Sequence, residues 1–373
     1  MQAKDFIDKF SDYGINFFSG VPDSLLNAFC LELLNTQPNK LAIGVNEGGC
    51  LALAAGHYMA TGNIPCVFMQ NSGLGNIVNP YTSLASDWVY GVPMCFVIGW
   101  RGEPGVKDEP QHLFMGNITL QLLDLLGVKY EIIDAGTCLS QIEMHMKNFA
   151  TCFAQKQSCA FVVRAGTFTG DAKNENENGY DIIRENAIEK IVSTIGKDDI
   201  VISSTGKISR ELFEIREKLK QPHHADFLTV GSMGYASSIA AQIAAEKKDK
   251  KVICIDGDGA ALMHLGCMAT TANMRLDNFV HIILDNELHE SVGGVPTVSG
   301  GVDWVSLAKA CGYKNARVIQ TNAQLDKLGD FNPGELVVIK VNKYSRKDLG
   351  RPTTSAKENI TQFMGFIQKG ENQ

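Results

Sequence analysis

Ile255-Asp256-Gly257-Asp258-Gly259-Ala260 closes one apolar run, 252–255, and Leu284-Asp285-Asn286-Glu287 closes another, 280–284. The first reads as a buried strand that passes through a Gly-Asp-Gly turn into a helix. The second reads as another buried strand with a polar tip. Between Asp258 and Asn286 there is room for one helix and one return strand, so a carboxylate and an amide fall on the same edge of a parallel sheet. Such a pair can hold a hard divalent cation. Asp258 would give one carboxylate oxygen, Asn286 its side-chain carbonyl and Leu288 its backbone carbonyl; two phosphate oxygens and a water would complete an octahedron, which suits Mg²⁺ and leaves Mn²⁺ and Ca²⁺ open. Gly257 and Gly259 let the chain turn sharply, and the N–H groups of Gly259 and Ala260 at the helix start would face phosphate oxygens. A lone Gly-Asp-Gly reads equally as an aspartate capping a helix. The spacing to Asn286 and the matched strands favour the cation. Thr205-Gly206-Lys207 is a second strand-to-helix junction, either a contact to the same diphosphate or a plain capping turn.

Outward from these tips the chain alternates strand and helix. Short runs rich in Val and Ile predict strands over 66–69, 94–98, 130–133, 160–163, 200–203, 252–255, 280–284 and 336–341. They lack the alternation of half-exposed strands, as expected for sheets covered on both faces. Helical patterns lie between them, at 49–60, 142–153, 208–219 and 239–246. The expected fold class is α/β, with two doubly wound parallel-sheet domains and no middle domain. The stretch 171–180, DAKNENENGY, is almost wholly polar and marks a linker between a domain over 1–170 and one over 181–373.

The 373 residues are 45% hydrophobic and 20% charged with net charge −7, a globular composition without the basic excess of a nucleic-acid binder. No run reaches the ~18 apolar residues of a membrane span. The ten cysteines include no C-x-x-C pair, and several sit in apolar segments. They read as reduced core thiols of a cytoplasmic protein. Met1-Gln2-Ala3-Lys4-Asp5 does not lead into the apolar run of a signal peptide. No G-x-G-x-x-G joins a strand to a helix with an acidic residue beyond, which disfavours a nucleotide-binding oxidoreductase.

A second carboxylate stands out in Val45-Asn46-Glu47-Gly48-Gly49, where Glu47 opens an Ala-rich helix with little steric cover. By itself it is a helix-start glutamate favoured by the macrodipole by ~0.3–1 kcal/mol. Its joint presence with Asp258 and Asn286 speaks against a non-catalytic scaffold.

Together these residues resemble the thiamin-diphosphate-dependent decarboxylases. Gly257-Asp258-Gly259 to Asn286 resembles the cofactor motif, Glu47 the activating glutamate, and Gly231-Ser232-Met233-Gly234 the segment that holds the cofactor bent. Within that superfamily the chain resembles the phosphonopyruvate decarboxylase family at Gly20-Val21-Pro22-Asp23-Ser24, Asn46-Glu47-Gly48, Arg101-Gly102-Glu103-Pro104-Gly105 and Asp108-Glu109-Pro110-Gln111-His112. The likeness continues at His289-Glu290-Ser291-Val292-Gly293-Gly294 and through 345–353. It departs from many members at Asp285, where they carry Asn, and at Glu287-Leu288, where a smaller pair is expected.

The resemblance implies thiamin diphosphate with Mg²⁺, acting on a small anionic 2-oxo acid. The implied reaction converts 3-phosphonopyruvate to phosphonoacetaldehyde and carbon dioxide, with sulfopyruvate as the alternative substrate. Glu47 would hydrogen-bond the aminopyrimidine, Met233 would prop the cofactor and the Gly231 carbonyl would accept from its amino group. Asp23, His112 and His289 are the candidate acids near the reacting carbon. Ser24, Asn71 and Ser72 would line the pocket, and Arg101, Arg346 and Arg351 would meet the phosphonate. The glutamate and the diphosphate motif of one site would come from different chains, which implies at least a homodimer.

Overall fold

The computed structural model describes residues 1–170, 178–343 and 345–368. They form two compact units, Met1–Glu175 with His289–Thr297, and Asn176–Leu288 with Val298–Gln373. Of the expected linker, 171–177 lies outside the described residues.

The first unit holds β1 (Phe18–Gly20), β2 (Leu41–Ile43), β3 (Cys66–Gln70), β4 (Cys95–Gly99), β5 (Lys129–Ile133) and β6 (Cys159–Val163). These make an all-parallel sheet in the order β2-β1-β3-β4-β6-β5. The second unit holds β7 (Ile200–Ser203), β8 (Asp226–Leu228), β9 (Val252–Gly257) and β10 (Phe279–Asp285). After the two-residue strands β11 (Leu288–His289) and β12 (Val295–Pro296) come β13 (Asn315–Ile319) and β14 (Glu335–Lys340). The second large sheet runs β13-β14-β10-β9-β7-β8, again parallel throughout. All eight strands expected from apolar runs are present, shifted by no more than a residue or two at an end. The six that the pattern missed are three-residue β1, β2 and β8, two-residue β11 and β12, and the half-exposed β13, too short or too polar to show a run.

Helices cover the sheets, including Glu47–Thr61, Leu139–Ala154, Lys207–Lys218 and Ala236–Glu246 at the four expected places. The first core is aromatic: Phe6 packs on Phe10 and Phe161 with ring centroids 4.8 and 5.3 Å apart, all three fully buried. The second core is aliphatic, built from residues such as Ile188, Ile191, Ile253, Ile255 and Val337. It also encloses two ion pairs, Arg184 with Glu211 at 2.7 Å and Arg216 with Asp226 at 2.8 Å. All ten cysteines are free; Cys30, Cys50, Cys66, Cys95, Cys159 and Cys254 are buried and Cys138 is exposed. No helix among the described residues is long and apolar enough to cross a membrane.

Candidate active site

In the second unit the parallel register decides what meets. Leu284 of β10 lies beside Gly257 of β9, and Ser203 of β7 beside Ile255, so three strands end at one edge. Asp258 opens the short helix Asp258–Met263 directly from β9 and is 3% exposed; Asn286 follows β10 and is 4% exposed. Gly206 caps the helix Lys207–Lys218 after β7, which puts Thr205-Gly206-Lys207 at the same edge. Asn286 is held on both sides. Its side-chain oxygen accepts from the Leu288 N–H at 3.1 Å, and its backbone carbonyl accepts from Asn178 at 3.0 Å. Asn178 also donates to the Val341 carbonyl at 3.0 Å. The last residues of the expected linker therefore brace the tip of β10.

Asp285 explains its own departure from the superfamily pattern. Fully buried, it accepts from Ser299 at 2.6 Å and from the Trp304 indole at 2.9 Å, and pairs with Lys340 at 2.8 Å. Its charge is matched within the fold, so it adds none to the cation site. Burial pulls the Lys340 ammonium pKa down, but hydrogen bonds to Asp285 and Glu287 outweigh it and hold the pKa above the usual lysine value. Glu287, at φ 61°, also accepts from the Tyr180 hydroxyl at 2.9 Å.

The 231–234 segment lies against the helix that Asp258 opens. Gly234 has φ +89°, and a Cβ there would come within 2.9 Å of the Ala260 carbonyl, so only glycine fits. The Tyr235 ring stacks on His264, centroids 4.2 Å apart. Met233 is half-buried beside this turn.

In the first unit Glu47 begins the helix Glu47–Thr61 and is 5% exposed. Its Oε2 accepts from the Asn76 amide at 2.6 Å. Burial pushes the Glu47 pKa up, and the Asn76 hydrogen bond offsets part of that. Gly73 sits so close that a Cβ would come within 2.6 Å of the carboxylate, which keeps the approach to Glu47 open only for glycine. Asp23 is fully buried beyond β1; Gln70 donates to it at 2.7 Å and the Leu25 N–H at 3.0 Å. Burial raises its pKa as well. Ser72 donates to Gln70 at 2.8 Å and so extends the chain Ser72–Gln70–Asp23.

Arg101 pairs with Asp108 through two hydrogen bonds, 2.8 and 2.5 Å, and donates to Ser24 at 2.9 Å. The pairing holds the Asp108 carboxyl well below the usual range. Asn71 is buried, and its amide is spent on the Arg101 carbonyl and Thr119 at 2.8 and 2.9 Å, so it positions Arg101 from behind. A hollow of about 310 Å³ beside this group is lined by Ser24, Leu25, Trp100, Arg101, Lys107 and Asp108. His112 is half-buried, its pKa lowered by burial and then by Arg101; burial brings His289 down to about 4. His289 packs with the first unit as part of His289–Thr297.

Two expected phosphonate contacts lie in the second unit. Arg346 meets Glu185 at 2.7 Å, Asp348 at 3.3 Å and Glu214, so its charge is matched three times over. Arg351 is exposed. Sequence reasoning missed Asn76, Asn178 and Lys340 as supports of the site. Lys340 carried a signal, a cation closing the apolar run 336–339 at the sheet edge.

In the second unit the donors fit a diphosphate cofactor with a hard cation, since Asp258, Asn286 and the Leu288 carbonyl offer only oxygen; in the first, Glu47 is a buried carboxylate. Residues 2–123 match the family described as thiamine pyrophosphate enzyme, N-terminal TPP binding domain. Residues 204–330 match the thiamine pyrophosphate enzyme, C-terminal TPP binding domain. The chain is 32% identical to a phosphonopyruvate decarboxylase of Streptomyces viridochromogenes over 98% of its own length and 94% of that protein's. It is 30% identical to a phosphonopyruvate decarboxylase of Streptomyces hygroscopicus over the same shares. A sulfopyruvate decarboxylase of Methanosarcina acetivorans is 26% identical over 83% of this chain and 82% of its own. The chain belongs to the phosphonopyruvate decarboxylase family of thiamine pyrophosphate enzymes.

Proposed function

We propose that the chain catalyses thiamin-diphosphate- and Mg²⁺-dependent, non-oxidative decarboxylation of 3-phosphonopyruvate to phosphonoacetaldehyde and carbon dioxide. The observation that carries this reading is Glu47, a buried carboxylate with a neutral amide partner, in a chain that aligns with phosphonopyruvate decarboxylases over 98% of its length. When bound, thiamin diphosphate supplies the electron sink that accepts the bonding pair left by carbon dioxide. Asp258, Asn286 and the Leu288 carbonyl would hold the cation. The N–H groups of Gly259 and Ala260, with Thr205-Gly206-Lys207, would hold the phosphates. Gly231 and Met233 would support the ring portion. Glu47, its pKa raised by burial, would exchange a proton with the pyrimidine while Asn76 fixes its Oε2.

Proton return to the product carbon falls to Asp23, the one candidate acid of the three whose surroundings favour its protonated form. His112 and His289 are held neutral and serve better as hydrogen-bond partners of the substrate. Arg101, with Ser24 and Lys107 around the same hollow, is the cation best placed for a phosphonate. Arg346 and Arg351 are secondary.

Sulfopyruvate is the second reading, motivated by the Methanosarcina relative. A panel of phosphonopyruvate, sulfopyruvate, pyruvate and benzoylformate, with cofactor and Mg²⁺ present and carbon dioxide measured, decides between them. Preference for phosphonopyruvate is expected, and preference for sulfopyruvate overturns the substrate while leaving the chemistry. We infer a homodimer with shared sites. Mixing Glu47→Gln with Asp258→Ala chains should recover part of the activity, and no recovery would count against sharing.

A further inference from the structure

Behind the tip of β9 lies a group the reaction does not use. Cys254, Asp256 and His281 are all fully buried, and one ligand atom from each lies within 4.8 Å of the others. The register produces this: His281 of β10 sits beside Cys254 of β9, and Asp256, two residues on, shares Cys254's face. Oδ1 of Asp256 accepts from the Gly257 N–H at 3.0 Å. Its Oδ2 has no hydrogen-bond partner, and neither does His281 Nε2; the two atoms face each other at 3.6 Å. That distance is too long for a hydrogen bond and too short for an intervening water, which needs about 4.5 Å between the atoms it bridges. It is close to the ~3.3–3.5 Å between oxygen and nitrogen ligands on a tetrahedral ion with bonds of about 2.0–2.1 Å.

We propose that Cys254, Asp256 and His281 form a binding site for a divalent transition metal of the zinc class. A thiolate, a carboxylate and a neutral imidazole cancel the charge of a divalent ion, so the loaded site is neutral in an apolar sheet core. The thiol proton leaves to solvent when the metal binds. With Nε2 on the metal, Nδ1 carries the hydrogen and donates to the Tyr313 hydroxyl at 2.9 Å, which in turn donates to Thr271 at 3.2 Å. That is the outer hydrogen-bond shell that metal-ligating histidines carry. A hollow of about 20 Å³ lined by Thr271, Phe279 and Tyr313 has room for about one water beside the two hydroxyls of this outer shell. Thiolate and imidazole select zinc or cobalt over Mg²⁺, which separates this site from the all-oxygen set at Asp258.

The test uses the full chain with thiamin diphosphate and excess Mg²⁺, loaded with Co²⁺ and then desalted. One Co²⁺ per chain should remain, with a thiolate-to-cobalt charge-transfer band that added Zn²⁺ abolishes. Cys254→Ser should remove the band, His281→Gln should weaken retention at least about tenfold, and Tyr313→Phe should weaken it by about 10–100-fold, the usual cost of losing such a partner. Absence of the band in the unsubstituted, folded chain overturns the site whether or not the variants fold. So does a band that survives Cys254→Ser.

Discussion

The buried carboxylates of the two units have different company. In the first unit Glu47 is partnered by Asn76 and Asp23 by Gln70, neutral amides that fix geometry without fixing charge. In the second, Asp285 meets Lys340, Glu211 meets Arg184 and Asp226 meets Arg216. A neutral amide offsets only part of the rise in pKa that burial imposes on Glu47 and Asp23, whereas a cation partner adds a direct pull toward the ionised form, though at Asp226 burial still outweighs it. The contrast holds for these five carboxylates; Asp256, also buried in the second unit, has neither a side-chain amide nor a Lys or Arg partner among the described residues.

The strongest way to break this contrast is Glu47→Gln, which keeps the shape and removes the exchangeable proton. We expect kcat to fall by about 10²–10⁴-fold, with the cofactor-induced rise in melting temperature retained. An unchanged kcat would remove Glu47 from the proton path. On the cation-paired side, Lys340→Met strands a buried carboxylate and should cost about 3 kcal/mol in denaturant unfolding. Adding Asp285→Asn, which removes the stranded charge, should recover most of the loss. Asn76→Ala tests the amide itself. It should lower kcat about tenfold, the scale of about 1.4 kcal/mol for one charge-assisted hydrogen bond, and move the pH–rate profile upward, because Asn76 holds the Glu47 pKa down.

The smallest effect concerns stability against pH. The folded-state pKa of Glu47 lies above its ordinary 4.5, so its contribution to stability is fully present below that value and is lost as pH rises through the raised one. Glu47→Gln should therefore gain stability relative to the unsubstituted chain between acid and neutral pH, read by melting temperature in parallel buffers. A constant difference across that range would show that burial does not penalise the ionised form.

Much of this was legible beforehand because parallel sheets buried on both faces write themselves as apolar runs, and each run that ends in Asp, Asn or Glu points to the functional edge. The strand tips at Asp258 and Asn286 and the helix start at Glu47 were of this kind. Partners were not. Asn76 is a helical asparagine with no pattern of its own, and its meeting with Glu47 depends on how two consecutive helices pack. Asp285 looked like a change in the metal motif. Only the fold shows Ser299, Trp304 and Lys340 converging to neutralise it. Asn178 sat in a stretch whose polarity suggested nothing but solvent, yet it grips two backbone carbonyls.

The exposure of Cys138, among thiols that are otherwise wholly or partly covered, has a practical side. Its thiol is tilted toward the reactive anion by hydrogen bonds, first from Ser140. One equivalent of a maleimide dye should attach at the start of the helix Leu139–Ala154 before any other position reacts. The chain thus comes with its own anchor point for fluorescence, needing no cysteine-free background.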